Sequence, residues 1–212
     1  MIRVLIADDH PIIRQGLRST LDETQDIRVV GEAKDGFEAV AMGRSEEYDV
    51  MLLDLSMPGV GGVDVLKQLL HELPDRKVLI LSTYPEKQYA VRCLKAGARG
   101  YVTKESAAMQ LLDAIRRVAA GRKYVSAALA EQLAGDLQFD AVRPPHESLS
   151  DREFQVLCLL GQGQTPSDIA AQLALSVTTV NTYRARILAK MGLETNAQLM
   201  LYVLENRLID TP

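Results

Sequence analysis

Three carboxylates, two hydroxyls and an ammonium close four apolar runs in the first half of the chain. Arg3-Val-Leu-Ile-Ala-Asp-Asp9 ends in Asp8 and Asp9, and Val50-Met-Leu-Leu-Asp54 ends in Asp54. Lys77-Val-Leu-Ile-Leu-Ser-Thr83 ends in Ser82 and Thr83, and Gly100-Tyr-Val-Thr-Lys104 ends in Lys104. Gathered in one place, three carboxylates repel one another, and either a proton or a cation has to relieve that. Mg²⁺ fits the second remedy: it prefers hard oxygens, keeps several waters, and is held by one or two carboxylates plus a phosphate. Lys104 would then face one phosphoryl oxygen as a compact cation, and Ser82 another as a hydroxyl donor. Asp54, the innermost acid, is the candidate nucleophile, because aspartate can form an acyl phosphate. Singly, each residue has a plainer role: Asp8 a helix cap, Ser82 a loop cap, Lys104 a surface lysine. Their shared position at strand ends is what points to chemistry.

The elements that must position these residues follow from pattern. Val50 to Leu53 is apolar without interruption, as in a strand buried on both faces, and Pro58-Gly59 with Gly61-Gly62 forbids regular continuation. Ile27 to Ala33 reads as a further strand. Helices are expected from His10-Pro11 (Ile13, Leu17 and Leu21 inward), from Asp35-Gly36 to near Glu46, and over Val63 to Leu73 (Leu66, Leu69, Leu70 and Leu73 inward). Two more are expected over Pro85 to Ala96 and from about Ser106 to Ala120. Five strands alternating with five helices predict a doubly wound α/β domain with a parallel sheet. Strand order 2-1-3-4-5 would set the first and third strands side by side and bring their acids together at the crevice.

At 212 residues two small domains are expected, and 47% hydrophobic with 25% charged residues is the composition of a soluble globular chain. A net charge of −4 carries no global signal for nucleic acid, so any such reading must rest on local features. Cys93 and Cys158 sit inside apolar helical patterns, as small core residues of a reducing cytoplasm rather than a bridge or metal site. The chain enters a strand after Arg3 with no signal-peptide core, and no apolar run approaches the roughly 20 residues that span a bilayer. A cytoplasmic protein without membrane contact is expected. Gly121 to Glu147 is weakly patterned: Ser126 to Leu133 suits a short helix, and Gly135, Gln138 to Arg143 and Pro144-Pro145 suit a linker. The expected division is 1–121, a linker at 122–147, and a second domain at 148–212.

In the second half, Leu149-Ser-Asp-Arg-Glu153 opens a helix with a capping box, stopped at Gly161-Gln-Gly163. Thr165-Pro-Ser-Asp168 opens another, with Ile169, Ala170 and Leu173 as its core, and Leu175-Ser176 turns into a third over Val177 to Met191. Two short helices joined by a tight turn fit helix-turn-helix geometry. At about 100° per residue, Val180, Ile187 and Met191 face the core, while Asn181, Thr182, Ala185, Arg186 and Ala189 face away. Arg184, Arg186 and Lys190 place three positive charges within Ser176–Met191 that no acid is expected to offset, although residues 148–212 carry five Lys+Arg against six Asp+Glu. The local charge, beside small residues and a turn, points to DNA: the cations would position the helix on phosphates, and Asn181 and Thr182 would read base edges.

The first half resembles a response-regulator receiver domain, through Asp8-Asp9, Asp54 with Met57-Pro58-Gly59, Ser82, Tyr101 and Lys104. The resemblance implies that Asp54 accepts a phosphoryl group from the phosphohistidine of a cognate sensor histidine kinase. It implies Mg²⁺ on Asp9, Asp54 and the backbone carbonyl of Ser56, with Asp8 assisting through water. Ser82, next to Thr83, and Tyr101 would form the switch: the hydroxyl moves toward the phosphoryl group and the ring turns inward behind it. The fourth helix, fifth strand and fifth helix would carry that change outward.

The second half resembles the LuxR-type helix-turn-helix of the NarL/FixJ regulators, through Leu149-Ser-Asp-Arg-Glu153, Val156-Leu157, Ile169-Ala170, Leu173, Ser176, Thr179-Val180 and Lys190-Met-Gly192. It departs at Asn181, where lysine is usual, and at Tyr183, where histidine is usual. Asn suits adenine better than guanine, so base preference is not transferable. The implied contacts to double-stranded promoter DNA are Thr178, Thr179, Asn181, Thr182, Arg184, Ala185, Arg186 and Lys190. A homodimer on activation and RNA polymerase as a further partner are also implied. A fourth helix, Asn196 to Leu208, would offer Leu199, Val203 and Met200 either to a two-fold contact or to packing within the domain.

The expected function is therefore a DNA-binding regulator switched by phosphorylation, not an enzyme. An aspartyl-phosphate phosphohydrolase would need an acid two residues after the nucleophile, where this chain has Ser56. A regulator working without phosphorylation is the other alternative.

Overall fold

The apolar runs form one parallel sheet. In the computed structural model, which describes residues 1–58, 60–127, 129–131, 144–206 and 208–209, strands and helices alternate through the first half. They are β1 (Ile2–Ala7), α1 (Pro11–Asp22), β2 (Ile27–Ala33), α2 (Gly36–Ser45), β3 (Val50–Leu53), α3 (Gly62–Glu72), β4 (Val78–Ser82), α4 (Glu86–Lys95), β5 (Gly100–Thr103) and α5 (Ala107–Ala119). The sheet order is β2-β1-β3-β4-β5, as expected from the pattern. All residues of β3 and β4 are buried, which is why their sequences show no polar alternation. One face of the sheet (Val4, Ile6, Val50, Leu52, Leu79, Leu81 and Val102) packs with Leu21 of α1 and with Leu111, Ile115 and Val118 of α5.

Register decides where the acids go. Ala7 pairs with Leu53 across β1 and β3, so Asp8 and Asp54 leave the sheet side by side, and the Asp54 N–H donates to the Ala7 carbonyl at 2.8 Å. Across β4 and β5, Ser82 pairs with Thr103, and the Lys104 N–H donates to the Ser82 carbonyl at 2.8 Å. Gly62 begins α3 so close to this edge that a Cβ there would lie 2.2 Å from the Asp54 carbonyl oxygen. A side chain at that position would push the helix off the strand end.

The chain divides into two compact units, between residues 133 and 134. The described start of the segment read as linker adds to the first unit. The Tyr124 N–H donates to the Arg99 carbonyl at 2.8 Å and forms an isolated bridge with Gly100, Ser126 Oγ donates to Glu86 Oε2 at 2.6 Å, and Leu129 is buried. A single bridge leaves no periodicity in a sequence. Of the short helix expected from Ser126 to Leu133, residues 127 and 129–131 are helical. Its last residues, Gly135 and Gln138 to Arg143 lie outside the described residues. Among the described residues no helix is long and apolar enough to cross a membrane, and Cys93 and Cys158 are buried.

The described residues of the second unit form a 3₁₀ turn (Pro145–Ser148) and four helices, α6 (Asp151–Gly161), α7 (Pro166–Gln172), α8 (Val177–Met191) and α9 (Asn196–Glu205). Every residue from Glu153 to Gly161 is buried, so α6 is the central helix of this unit. Ser150 with Glu153 and Thr165 with Asp168 form the expected capping boxes, and Thr195 with Gln198 forms another that sequence reading passed over. The turn into α8 runs through Ala174 at φ 52°, a left-handed conformation unusual for alanine, and closes with the Leu175 N–H on the Ala170 carbonyl at 2.8 Å. Gly192, at φ 65°, ends α8 in the same region without a Cβ penalty.

Candidate functional site

Asp8, Asp54 and Ser82 are buried at the carboxyl edge of the sheet, and Lys104 reaches them with a side chain only 10% exposed. Lys104 Nζ lies 2.6 Å from Asp8 Oδ2 and 2.7 Å from Asp54 Oδ2. Burial works against the charge on that lysine, but the facing Asp54 and Asp8 outweigh it and hold the ammonium above its ordinary pKa. Asp54 Oδ1 accepts the Ser56 N–H at 3.2 Å, and Asp54 Oδ2 accepts the Ser56 hydroxyl at 2.8 Å. Asp8 Oδ1 accepts the His10 N–H at 2.8 Å.

One cation facing this many acids leaves negative charge in excess. Asp8, Asp9, His10 and Asp54 each offer a ligand atom, all within 4.8 Å of one another. Asp9 Oδ1 is buried and lacks a directed hydrogen bond, although His10 Nδ1 lies 2.9 Å away. Carboxylate oxygens with spare lone pairs, crowded around one point, fit a hard divalent cation. Sequence reading missed His10 here; its place directly after Asp8-Asp9 was the available signal.

The residues read as the switch converge on Tyr84. Ser82 Oγ accepts the Tyr84 N–H at 3.2 Å, and the Tyr101 hydroxyl donates to the Tyr84 carbonyl at 2.7 Å. Tyr101 is buried. The Tyr84 carbonyl satisfies the phenol in the inward position. Burial pushes that phenol well above its ordinary pKa, so it stays a donor. The Tyr84 ring stacks on Tyr89 with centroids 4.6 Å apart. Thr83 is exposed at the rim.

In the second unit, Val180, Ile187 and Met191 are buried, and Thr178, Asn181, Thr182, Ala185, Arg186 and Ala189 are exposed, as the helical angle predicts. The Ser176 side chain caps α8 by accepting the Thr179 N–H at 3.0 Å, and the two hydroxyls lie 2.8 Å apart, which turns Thr179 toward the cap. Arg184 Nε donates to Asn196 Oδ1 at 2.7 Å.

One reading of the sequence is corrected here, and one left open is decided. Lys190 is offset by an acid after all: its Nζ lies 2.6 Å from Oε2 of Glu153, a side chain 4% exposed on α6. The acid comes from another helix, so no count within α8 could reveal it. Burial opposes ionisation of Glu153, but Lys190 and the Ser150 N–H outweigh it and hold the carboxyl below its ordinary pKa. Of the two alternatives for the fourth helix, Leu199 and Val203 take packing within the domain: both are 0% exposed, and a Cβ on Gly161 would lie 2.5 Å from Val203 Cγ1. The apolar side chains that α9 exposes are Met200, Leu201 and Leu204.

Comparison with known proteins covers both units. The family described as "Response regulator receiver domain" matches residues 4–116, and "Bacterial regulatory proteins, luxR family" matches residues 147–203. Response regulator UvrY of Escherichia coli (strain K12) is 36% identical over 200 residues, 94% of this chain and 92% of its own. Response regulator GacA of Pseudomonas aeruginosa is 36% identical over 211 residues, 99% of each chain. Among solved structures, RcsB from Salmonella enterica serovar Typhimurium, bound to promoter rprA in the presence of the phosphomimetic BeF3−, aligns with a TM-score of 0.65 at 26% identity, over 96% of this chain and 99% of that one.

Proposed function

We propose that this chain, which belongs to the two-component response regulators with a luxR-family DNA-binding domain, controls transcription through phosphorylation of Asp54. The observation that carries the assignment is the cluster in which Lys104 Nζ bridges buried Asp8 and Asp54 while Asp9 is left over. An Asp54 carboxylate oxygen attacks the phosphorus of a kinase phosphohistidine. The new P–O bond forms as the P–N bond breaks, and the imidazole leaves with the bonding pair and takes a proton from water. Asp9, Asp54 and the Ser56 carbonyl would hold Mg²⁺, with Asp8 acting through water; the ion would supply charge neutralisation for the incoming phosphoryl oxygens.

The acyl phosphate carries its negative charge further from the sheet than the carboxylate did. Lys104, already on Asp54, and the Ser82 hydroxyl are the donors able to follow it. Drawing Ser82 toward the phosphoryl group costs its bond to Tyr84, the residue that also anchors Tyr101, so the change reaches the α4–β5 surface. Ser56 donates to Asp54 and has no carboxylate to act as a general base, which favours a persistent phosphoryl group over rapid hydrolysis.

Exposed Ile12, at the start of α1, and Met109, at the start of α5, provide apolar contact for the kinase around the pocket. Met200, Leu201 and Leu204 of α9 supply the surface of a DNA-bound homodimer, which would place two α8 helices on half-sites about one helical turn apart. Incubation with acetyl phosphate and Mg²⁺, followed by peptide mass mapping, tests the site. One phosphoryl group is expected on the peptide holding Asp54, absent without Mg²⁺ and absent from Asp54→Asn. Undiminished labelling of Asp54→Asn overturns the assignment.

A further inference from the structure

The following inference rests on α8 being the recognition helix and adds which base it reads. Thr178, Thr182, Ala185 and Ala189 occupy the middle of the exposed side of α8, with Asn181 on one flank and Arg186 on the other, about 140° apart at 100° per residue. The other two cations of the helix are drawn off this surface, Arg184 onto Asn196 and Lys190 onto Glu153. Among the described residues, neither the Asn181 carboxamide nor the Arg186 guanidinium has an intramolecular partner. Asn181 therefore keeps a carbonyl acceptor and an amide donor side by side, pointing at whatever the helix approaches.

In the major groove guanine presents two acceptors, O6 and N7, and is met by the donor fork of arginine or by lysine. Adenine presents an acceptor at N7 and a donor at N6, the pattern a carboxamide complements. We infer that Asn181 reads an adenine in each half-site by paired hydrogen bonds to N7 and N6. The Ala185 methyl, one turn further along and on the same side, lies against a thymine methyl. Arg186, on the far flank, holds a backbone phosphate and contributes no base preference.

Binding-site selection with the full-length, phosphodonor-treated protein tests this. Wild type should recover an adenine at one position in each half-site, and 7-deazaadenine there, which lacks the N7 acceptor, should weaken binding about tenfold. Asn181→Ala should lose preference at that position and keep it elsewhere, and Asn181→Arg should move it to guanine. Arg186→Ala should weaken every sequence alike. A guanine at the position governed by Asn181, or tolerance of 7-deazaadenine by the unmodified protein, overturns the inference while leaving the recognition helix in place. If neither Asn181→Ala nor Arg186→Ala alters binding, the recognition-helix reading fails and takes the inference with it.

Discussion

Lys104 and Lys190 look alike locally and do different things. Each places its Nζ 2.6 Å from an oxygen of a buried carboxylate, Asp8 in one case and Glu153 in the other. Lys104 has a second acid within reach at Asp54, and Asp9 lies beside them, so negative charge remains after the lysine is counted. Among the described residues Lys190 meets Glu153 alone, whose Oε2 also accepts the Ser150 N–H, and the charges there balance. A lysine on a buried acid does not by itself mark reactivity. Surplus acid around it is what the proposed function uses to hold a cation and a phosphoryl group, and balance marks a fastening between helices.

Exchanging each lysine for methionine separates the two cases most sharply. Lys104→Met should abolish the gain in DNA affinity caused by a phosphodonor, a loss of about tenfold or more (roughly 1.4 kcal/mol per decade) in an anisotropy titration. Lys190→Met should keep that gain. Adding Mg²⁺ is the next test: at about 100 times its dissociation constant it should stabilise the first unit by about 2.7 kcal/mol in urea unfolding, leave the second unit unmoved, and lose its effect in Asp9→Asn.

Lys190→Met should instead destabilise the second unit by about 1–3 kcal/mol, because Glu153 loses a charged partner in a buried position. The pH dependence carries the sign. The folded carboxyl of Glu153 lies below its ordinary value of 4.5, so its contribution is full above that value and is lost as pH falls through the folded pKa. Without Lys190 that loss should begin at higher pH in an acid titration of the second unit. Replacing Arg186 with alanine should leave stability alone and reduce the slope of log affinity against log salt by about 1, whereas Lys190→Met should not alter that slope. The smallest effect is expected at the turn before α8: Ala174→Gly relieves a left-handed alanine and should stabilise by about 0.5–1 kcal/mol.

The same contrast explains what could be read from the chain alone. Strand ends are local events, and Asp8, Asp54, Ser82 and Lys104 each announce themselves by closing an apolar run. Once alternation implies a parallel sheet, topology brings them together, and the order β2-β1-β3-β4-β5 did. Pairings between distant elements leave no such trace. Glu153 and Lys190 are 37 residues apart, and nothing in either segment predicts that a capping-box glutamate also holds the end of the third helix of its domain. The fourth helix of that unit was legible as a helix, but its packing stayed undecided: its apolar residues are too many for one face, and pattern did not say that Leu199 and Val203 go inward and Met200, Leu201 and Leu204 outward. The bridge between Tyr124 and Gly100 was too short to show as a strand.

Under the proposed function, chemistry at Asp54 sets the affinity of α8 for DNA. Fluorescence anisotropy on a selected promoter fragment, with wild type and Asp54→Ala, each with and without acetyl phosphate and Mg²⁺, tests it most directly. The donor should tighten binding by wild type about tenfold and leave Asp54→Ala unchanged. Equal binding by both proteins, indifferent to the donor, would contradict it.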